Sequence, residues 1–185
     1  TNVSSSNLTS FSNLAGSDTL SLSGTGTISS ADVGTGKTVN TSGLTIDNSS
    51  GVGTNYTLSS ATVNVTERVI GLSGVRAFDG TNNVSSADLS ISNLVSGENL
   101  TLSGSGTVPN ATVEMNKAIT LGSLSISDGS GGKSSNYTLT GGSHTLDISQ
   151  LSVNVTGSRQ YDGTKTVNSS DLNLTNLVSG ETVSL

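Results

Sequence analysis

Cysteine and tryptophan are absent from this 185-residue chain, and histidine, methionine and proline occur once each. Without cysteine there is no disulfide framework, no Cys-ligated zinc and no thiol nucleophile. A single His provides no imidazole cluster for a metal. Charged residues make up 11% of the chain, against about 25% in an ordinary soluble domain. Seven Lys and Arg face 13 Asp and Glu, a net charge of −6, which speaks against a phosphate-binding surface and so against nucleic acid as a partner. Apolar runs are far shorter than the ~20 residues that span a bilayer, so no membrane insertion is expected of this segment. No initiating Met or signal peptide opens the sequence, which reads as an internal piece of something longer. No cofactor is expected.

What the chain does contain is Ser, Thr, Asn and Gly, which supply 104 of its residues. Such a composition alone can indicate disorder, because polar chains bury too little apolar surface to fold. Here, however, 44 Val, Ile and Leu are spaced in a pattern. Leu100-Thr101-Leu102, Leu124-Ser125-Ile126, Leu146-Asp147-Ile148 and Val153-Asn154-Val155 each place apolar residues at alternate positions. Period two puts those side chains on one face of a strand and the polar ones on the other. No amphipathic helical pattern occurs. The chain reads as all-β.

Self-comparison settles the organisation. Leu20-Ser21-Leu22-Ser23-Gly24-Thr25-Gly26-Thr27 recurs as Leu100-Thr101-Leu102-Ser103-Gly104-Ser105-Gly106-Thr107, and Asn55-Tyr56-Thr57-Leu58 as Asn136-Tyr137-Thr138-Leu139. Arg76-Ala77-Phe78-Asp79-Gly80-Thr81 recurs as Arg159-Gln160-Tyr161-Asp162-Gly163-Thr164. The expected division is a first unit over 1–74 without an opening turn, a second over 75–157, and the start of a third over 158–185. Strands are expected near 83–85, 88–94, 99–103, 117–121, 123–127, 136–140, 144–149 and 151–156. Short strands at this spacing predict tandem small β-sandwich-like domains, Ig-like or related, stacked end to end. A β-solenoid is the alternative; the uneven strand spacing counts against it. The junction near Val155 lacks a Pro- or Gly/Ser-rich linker, so a stiff rod is expected.

These motifs resemble the YDG-type repeat domain of bacterial surface adhesins, related to the MBG repeats. The resemblance rests on Tyr161-Asp162-Gly163-Thr164, on Asp32-Val33-Gly34-Thr35-Gly36-Lys37-Thr38-Val39, on Gly43-Leu44-Thr45-Ile46, and on the two Asn-Tyr-x-Leu strands. The preceding copy of the first motif has Phe78 in place of Tyr. The second unit departs from the second motif, reading Thr112-Val113-Glu114-Met115-Asn116-Lys117-Ala118-Ile119. What the resemblance implies is a tandem β-domain in a large secreted or outer-surface protein of the filamentous-haemagglutinin-like kind. It implies no ligand.

Candidate chemistry is sparse. His144 and Asp147 lie near Ser143, but three residues within one short strand do not make a triad. Asp79, Asp88, Asp162 and Asp171 recur as pairs and are minor candidates for calcium ligands; an Asp-Gly turn or a polar loop is the favoured explanation of each. Thirteen of the 18 Asn occupy Asn-x-Ser/Thr sequons, a pattern that an outward strand face of Asn, Ser and Thr generates unaided. Tyr56 and Tyr137 are expected to fill the core. Phe78 and Tyr161, opening the turns at Asp79-Gly80 and Asp162-Gly163, are expected to seal the joint from one unit to the next. The glycine runs at 24–27 and 34–37 lack the strand–loop–helix setting of a phosphate loop.

The expected function is therefore structural: a non-catalytic stalk or filament segment of a large bacterial extracellular adhesin or biofilm fibre. Its expected partners are neighbouring repeats of the same chain and other copies, through self-association at strand edges, with a surface or matrix polysaccharide as a further candidate. The expected location is the outer cell surface or the extracellular space. The alternative is a carbohydrate- or host-surface-binding module, which predicts clustered aromatics or carboxylates in one unit. An ice-binding surface is a weaker rival because no regular Thr-x-Thr ladder recurs.

Overall fold

The computed structural model describes residues 1–8 and 10–185. It is all-β: among the described residues the helical segments are short 3-10 turns, at Ser5–Asn7, Gly53–Asn55, Ser86–Asp88, Ser134–Asn136 and Ser169–Asp171. The chain forms two compact units. Unit 1 comprises residues 1–68 with 135–138, and unit 2 comprises 69–134 with 139–185.

Unit 1 contains β1 (Asn2–Ser4), β2 (Leu20–Thr27), β3 (Gly34–Thr38), β4 (Leu44–Asn48) and β5 (Thr62–Val65). β2 lies centrally, antiparallel to β1 and β4, with Leu22 opposite Ile46. β3 pairs with β5, through a register shift that falls from Gly34 to Lys37. Alternation is visible along β2, where Leu20 and Leu22 are half-buried and Ser21 and Ser23 exposed. Val3, Ile28 and Val39 form the buried core, with Leu8, Leu44, Ala61, Val63 and Val65 packed on it. Each fully buried aliphatic side chain stabilises the fold by about 1.5–3 kcal/mol.

Next come β6 (Arg68–Val69), β7 (Gly71–Ala77), β8 (Asn83–Ser85), β9 (Leu89–Ser92), β10 (Leu100–Ser103), β11 (Ser105–Thr107), β12 (Glu114–Ala118), β13 (Ser125–Asp128), β14 (Tyr137–Thr138) and β15 (His144–Ser149). β14 pairs with β6. The main sheet of unit 2 has the order β12-β15-β7-β9. Its central pair, β15 with β7, is parallel, and the two flanking pairs are antiparallel. β8 pairs with β11 and β10 with β13. Ile70, Leu72, Val84, Leu146 and Ile148 are the most deeply buried side chains. β16 (Asn154–Gly157) and β17 (Leu172–Thr175) form a further antiparallel pair.

Three strand pairings of unit 1 recur in unit 2. Val3 faces Gly26 as Val84 faces Gly106. Leu22 faces Ile46 as Leu102 faces Ile126. Lys37 faces Val63 as Lys117 faces Leu146. β16 and β17 repeat β7 and β9, with Gly157 opposite Leu172 as Gly74 is opposite Leu89. A Cβ at Gly74 would run into the Asp88 carbonyl, and one at Gly157 into the Asp171 carbonyl. That crowding explains a glycine in mid-strand. It also explains why alternation alone leaves β7 unpredicted, since Gly71 and Gly74 interrupt the apolar pattern. The expected strand over 117–121 lies instead at 114–118.

Candidate functional site

The Asp-Gly turns are built from a short sequence rule. Gly80 and Gly163 have φ of 79° and 75°, a left-handed conformation that glycine adopts without steric cost. One oxygen of Asp79, Oδ1, accepts from the Thr81 N–H at 2.9 Å and from the Thr81 hydroxyl at 3.0 Å. The Arg76 guanidinium pairs with the same oxygen and donates to the Thr81 carbonyl at 2.6 Å. The second copy repeats the set: Asp162 Oδ1 accepts from Thr164 N at 2.8 Å, from its hydroxyl at 2.9 Å and from Arg159 at 2.5 Å. Arg159 also donates to the Thr164 carbonyl at 2.7 Å. Partial burial pushes the Asp79 carboxyl up, but hydrogen bonds from Arg76 and Thr81 outweigh it and hold its pKa below the usual value. Asp162 is lowered by the Thr164 N–H, then by Arg159 and the Thr164 hydroxyl. Phe78 is half-buried and donates its N–H to the Ser149 carbonyl at 2.8 Å, whereas Tyr161 is 95% exposed.

The other two calcium candidates cap turns. Asp88 Oδ2 accepts from Ser85 N at 3.0 Å, and Asp171 Oδ2 from Asn168 N at 3.2 Å. Asp79 therefore sits in one turn and Asp88 in the next. No group of three His, Cys, Asp or Glu able to hold a metal gathers among the described residues. β15 places His144 and Asp147 on opposite faces, because they are an odd number of positions apart. His144 Nε2 lies 2.8 Å from the Leu139 carbonyl, and Asp147 accepts from Asn116 N at 2.6 Å. That geometry denies the triad.

Tyr137 is buried, and Tyr56 is half-buried with its hydroxyl engaged. Tyr56 donates to Asp18 Oδ2 at 2.6 Å and accepts from Ala15 N at 3.1 Å. The bond to the Asp18 carboxylate raises the pKa of that phenol. Two structural groups escaped the sequence reading. Lys117 is almost wholly buried, and its ammonium meets Asn110 Oδ1 at 2.7 Å, Glu114 Oε2 at 2.8 Å, and the Thr112 carbonyl and hydroxyl at 3.1 Å. Lys37, its counterpart, donates to the Asp32 carbonyl at 2.6 Å. Each lysine thus lies within its strand and closes the loop that enters it. Within unit 1, Asn136 Oδ1 accepts from Val33 N at 2.9 Å while its Nδ2 donates to Asp32 Oδ1 at 3.0 Å.

Unit 1 also carries an open cleft of about 550 Å³. Leu8, Phe11, Leu22, Leu58 and Val63 line it along with Ser, Thr and Asn. No helix is long and apolar enough to cross a membrane among the described residues.

No curated protein matches this chain, and no solved structure does. The model of the YDG domain matches over residues 1–63 and 66–146. Those two stretches are the ones whose strand registers repeat each other. The chain belongs to the YDG domain family.

Proposed function

We propose that this chain is a structural repeat segment of a large bacterial extracellular adhesin or surface fibre of the filamentous-haemagglutinin-like kind. Each repeat is a small β-sandwich-like domain, stacked on the next in tandem, and its role is to supply length and stiffness rather than chemistry. The supporting observation is repetition at the level of single hydrogen bonds. Asn93 Nδ2 donates to the Val69 carbonyl at 2.8 Å, and Asn176 Nδ2 donates to the Ser152 carbonyl at 2.8 Å. The same register follows in β7–β9 and in β16–β17. A catalytic or ligand-specific domain needs one constellation in one place, whereas a scaffold needs the same constellation many times. The polar Ser, Thr and Asn surface is hydrated with little charge, so the stability of such a scaffold should depend weakly on salt. Its partners are neighbouring repeats and other copies of the protein, outside the cell.

Negative-stain electron microscopy of the native full-length protein tests this reading. Long fibres of uniform width are the expected result. Monodisperse globular particles that bind a sugar array would overturn it in favour of a carbohydrate-recognition module.

A further inference from the structure

The buried lysine of unit 2 lies against a side-chain amide. The Lys117 side chain is 2% exposed, and its Nζ is 2.7 Å from Asn110 Oδ1 and 2.8 Å from Glu114 Oε2. The same Asn110 oxygen accepts from the Thr112 N–H at 3.1 Å and from the Thr112 hydroxyl. An amine, a carboxylate and a carbonyl polarised by two further donors therefore meet in one loop.

Unit 1 shows the same loop without that set. By the repeat, Ser30 stands where unit 2 has Asn110, Asp32 where it has Thr112, and Gly34 where it has Glu114. Ser30 Oγ still accepts from Asp32 N at 3.1 Å, and Lys37 still donates to the backbone carbonyl of Asp32 at 2.6 Å. The corresponding contact in unit 2 runs from Lys117 to the Thr112 carbonyl at 3.1 Å. The turn and its lysine are thus complete with a serine and a glycine, so closing the loop does not account for Asn110 and Glu114.

We propose that unit 2 cross-links itself: Lys117 Nζ attacks Cγ of Asn110 to form an intramolecular amide, with loss of the Asn110 side-chain nitrogen as ammonium. This goes beyond the scaffold reading and does not depend on it. Glu114 Oε2 takes a proton from the Lys117 ammonium and frees the lone pair on Nζ. The amine then moves from the oxygen it touches to the carbon bonded to that oxygen, a displacement of about one bond length. As the Nζ–Cγ bond forms, the carbonyl electron pair passes to Oδ1, where the Thr112 N–H and hydroxyl stabilise the charge. The pair returns, and the Cγ–Nδ2 bond breaks. Glu114 relays two protons from Nζ to Nδ2, one before attack and one during collapse, and ends as it began. Charge and atoms balance without another reactant. The Glu114 side chain is 61% exposed, so the ammonium leaves directly to water. A chain without cysteine thereby gains a covalent closure of residues 110–117.

Intact-mass measurement of the folded 185-residue chain should find it lighter than its sequence by about 17 Da, the mass of one ammonia. A succinimide formed at an asparagine gives the same loss, so the linkage is read from fragments. Cleavage after glutamate in the denatured chain separates residues 99–114 from 115–181, unless the new amide joins them. One species carrying two N-termini, Asn99 and Met115, is the expected product. Glu114→Gln, which keeps the size of the side chain, and Asn110→Ala should each show the full mass of its own sequence. Far-UV circular dichroism checks that both variants fold; if either does not, the digest of the native chain decides alone. Full sequence mass in the native chain, or separated fragments at the lowered mass, overturns the proposal. An undiminished mass loss in either variant overturns it as well.

Discussion

Asp79 and Asp162 each concentrate three donors on a single carboxylate oxygen, an arrangement that favours its charged form. The Asp-Gly-Thr turn was legible in the sequence because each of its residues has a local reason to be there: a hydrogen-bonding side chain, a left-handed glycine and a hydroxyl two positions on. The partner three residues earlier was less legible. Arg76 and Arg159 stand in both copies, but nothing in the spacing alone says that an extended strand end folds back far enough to pair them. Both carboxyls titrate below the ordinary aspartate range. A carboxyl whose pKa is lower folded than unfolded contributes stability that is fully present above the unfolded value. That contribution is lost as pH falls through the folded value. A carboxyl-detected NMR titration should place the inflections of Asp79 and Asp162 below that of a free aspartate. Inflections at or above the free value would show that the arginine and threonine bonds are not formed in solution.

Elements were legible where side chains alternate and illegible where backbone crowding sets the residue. β10, β13 and β15 follow from apolar residues at alternate positions. β7 does not, because its two glycines are required by the approach of neighbouring backbone rather than by any pattern of hydrophobicity. β12 lies earlier than its apolar residues suggest because Asn116, at φ 55°, forms part of a register shift that lets Lys117 turn inward. Burial separates the two units energetically. Leu146 is fully enclosed with β7 alongside, while Val63 borders the open cleft. Truncating an enclosed leucine to alanine costs about 2–5 kcal/mol. Val63→Ala removes fewer buried methyls and should cost about 1 kcal/mol or less. Urea unfolding of Leu146→Ala and Val63→Ala measures the pair. Equal losses would mean that Val63 is as enclosed in solution as Leu146.

At the scale of the whole chain, sequence order and folded unit do not coincide. Residues 135–138 belong to unit 1, although unit 2 residues precede and follow them. Asn136 is the residue that gives this membership chemical content, since its carboxamide satisfies both the Val33 N–H and the Asp32 carboxylate. An internal repeat read from sequence assigns Asn136 to the second copy by its Asn-Tyr-x-Leu motif, and no periodicity reveals that its hydrogen bonds fall on the first. Unit 1 rests on a smaller set of buried side chains than unit 2, so calorimetry of the intact chain should resolve two transitions with unit 1 melting first. Asn136→Ala leaves the half-buried Val33 N–H without its acceptor, a loss of about 1 kcal/mol or somewhat more. For a unit of this size that corresponds to a fall of about 4–8 °C. The fall should appear in the lower transition, while the upper one stays where it was. A shift confined to the upper transition would place Asn136 energetically in unit 2, where the sequence repeat puts it, and would contradict the hydrogen bonds to Asp32 and Val33.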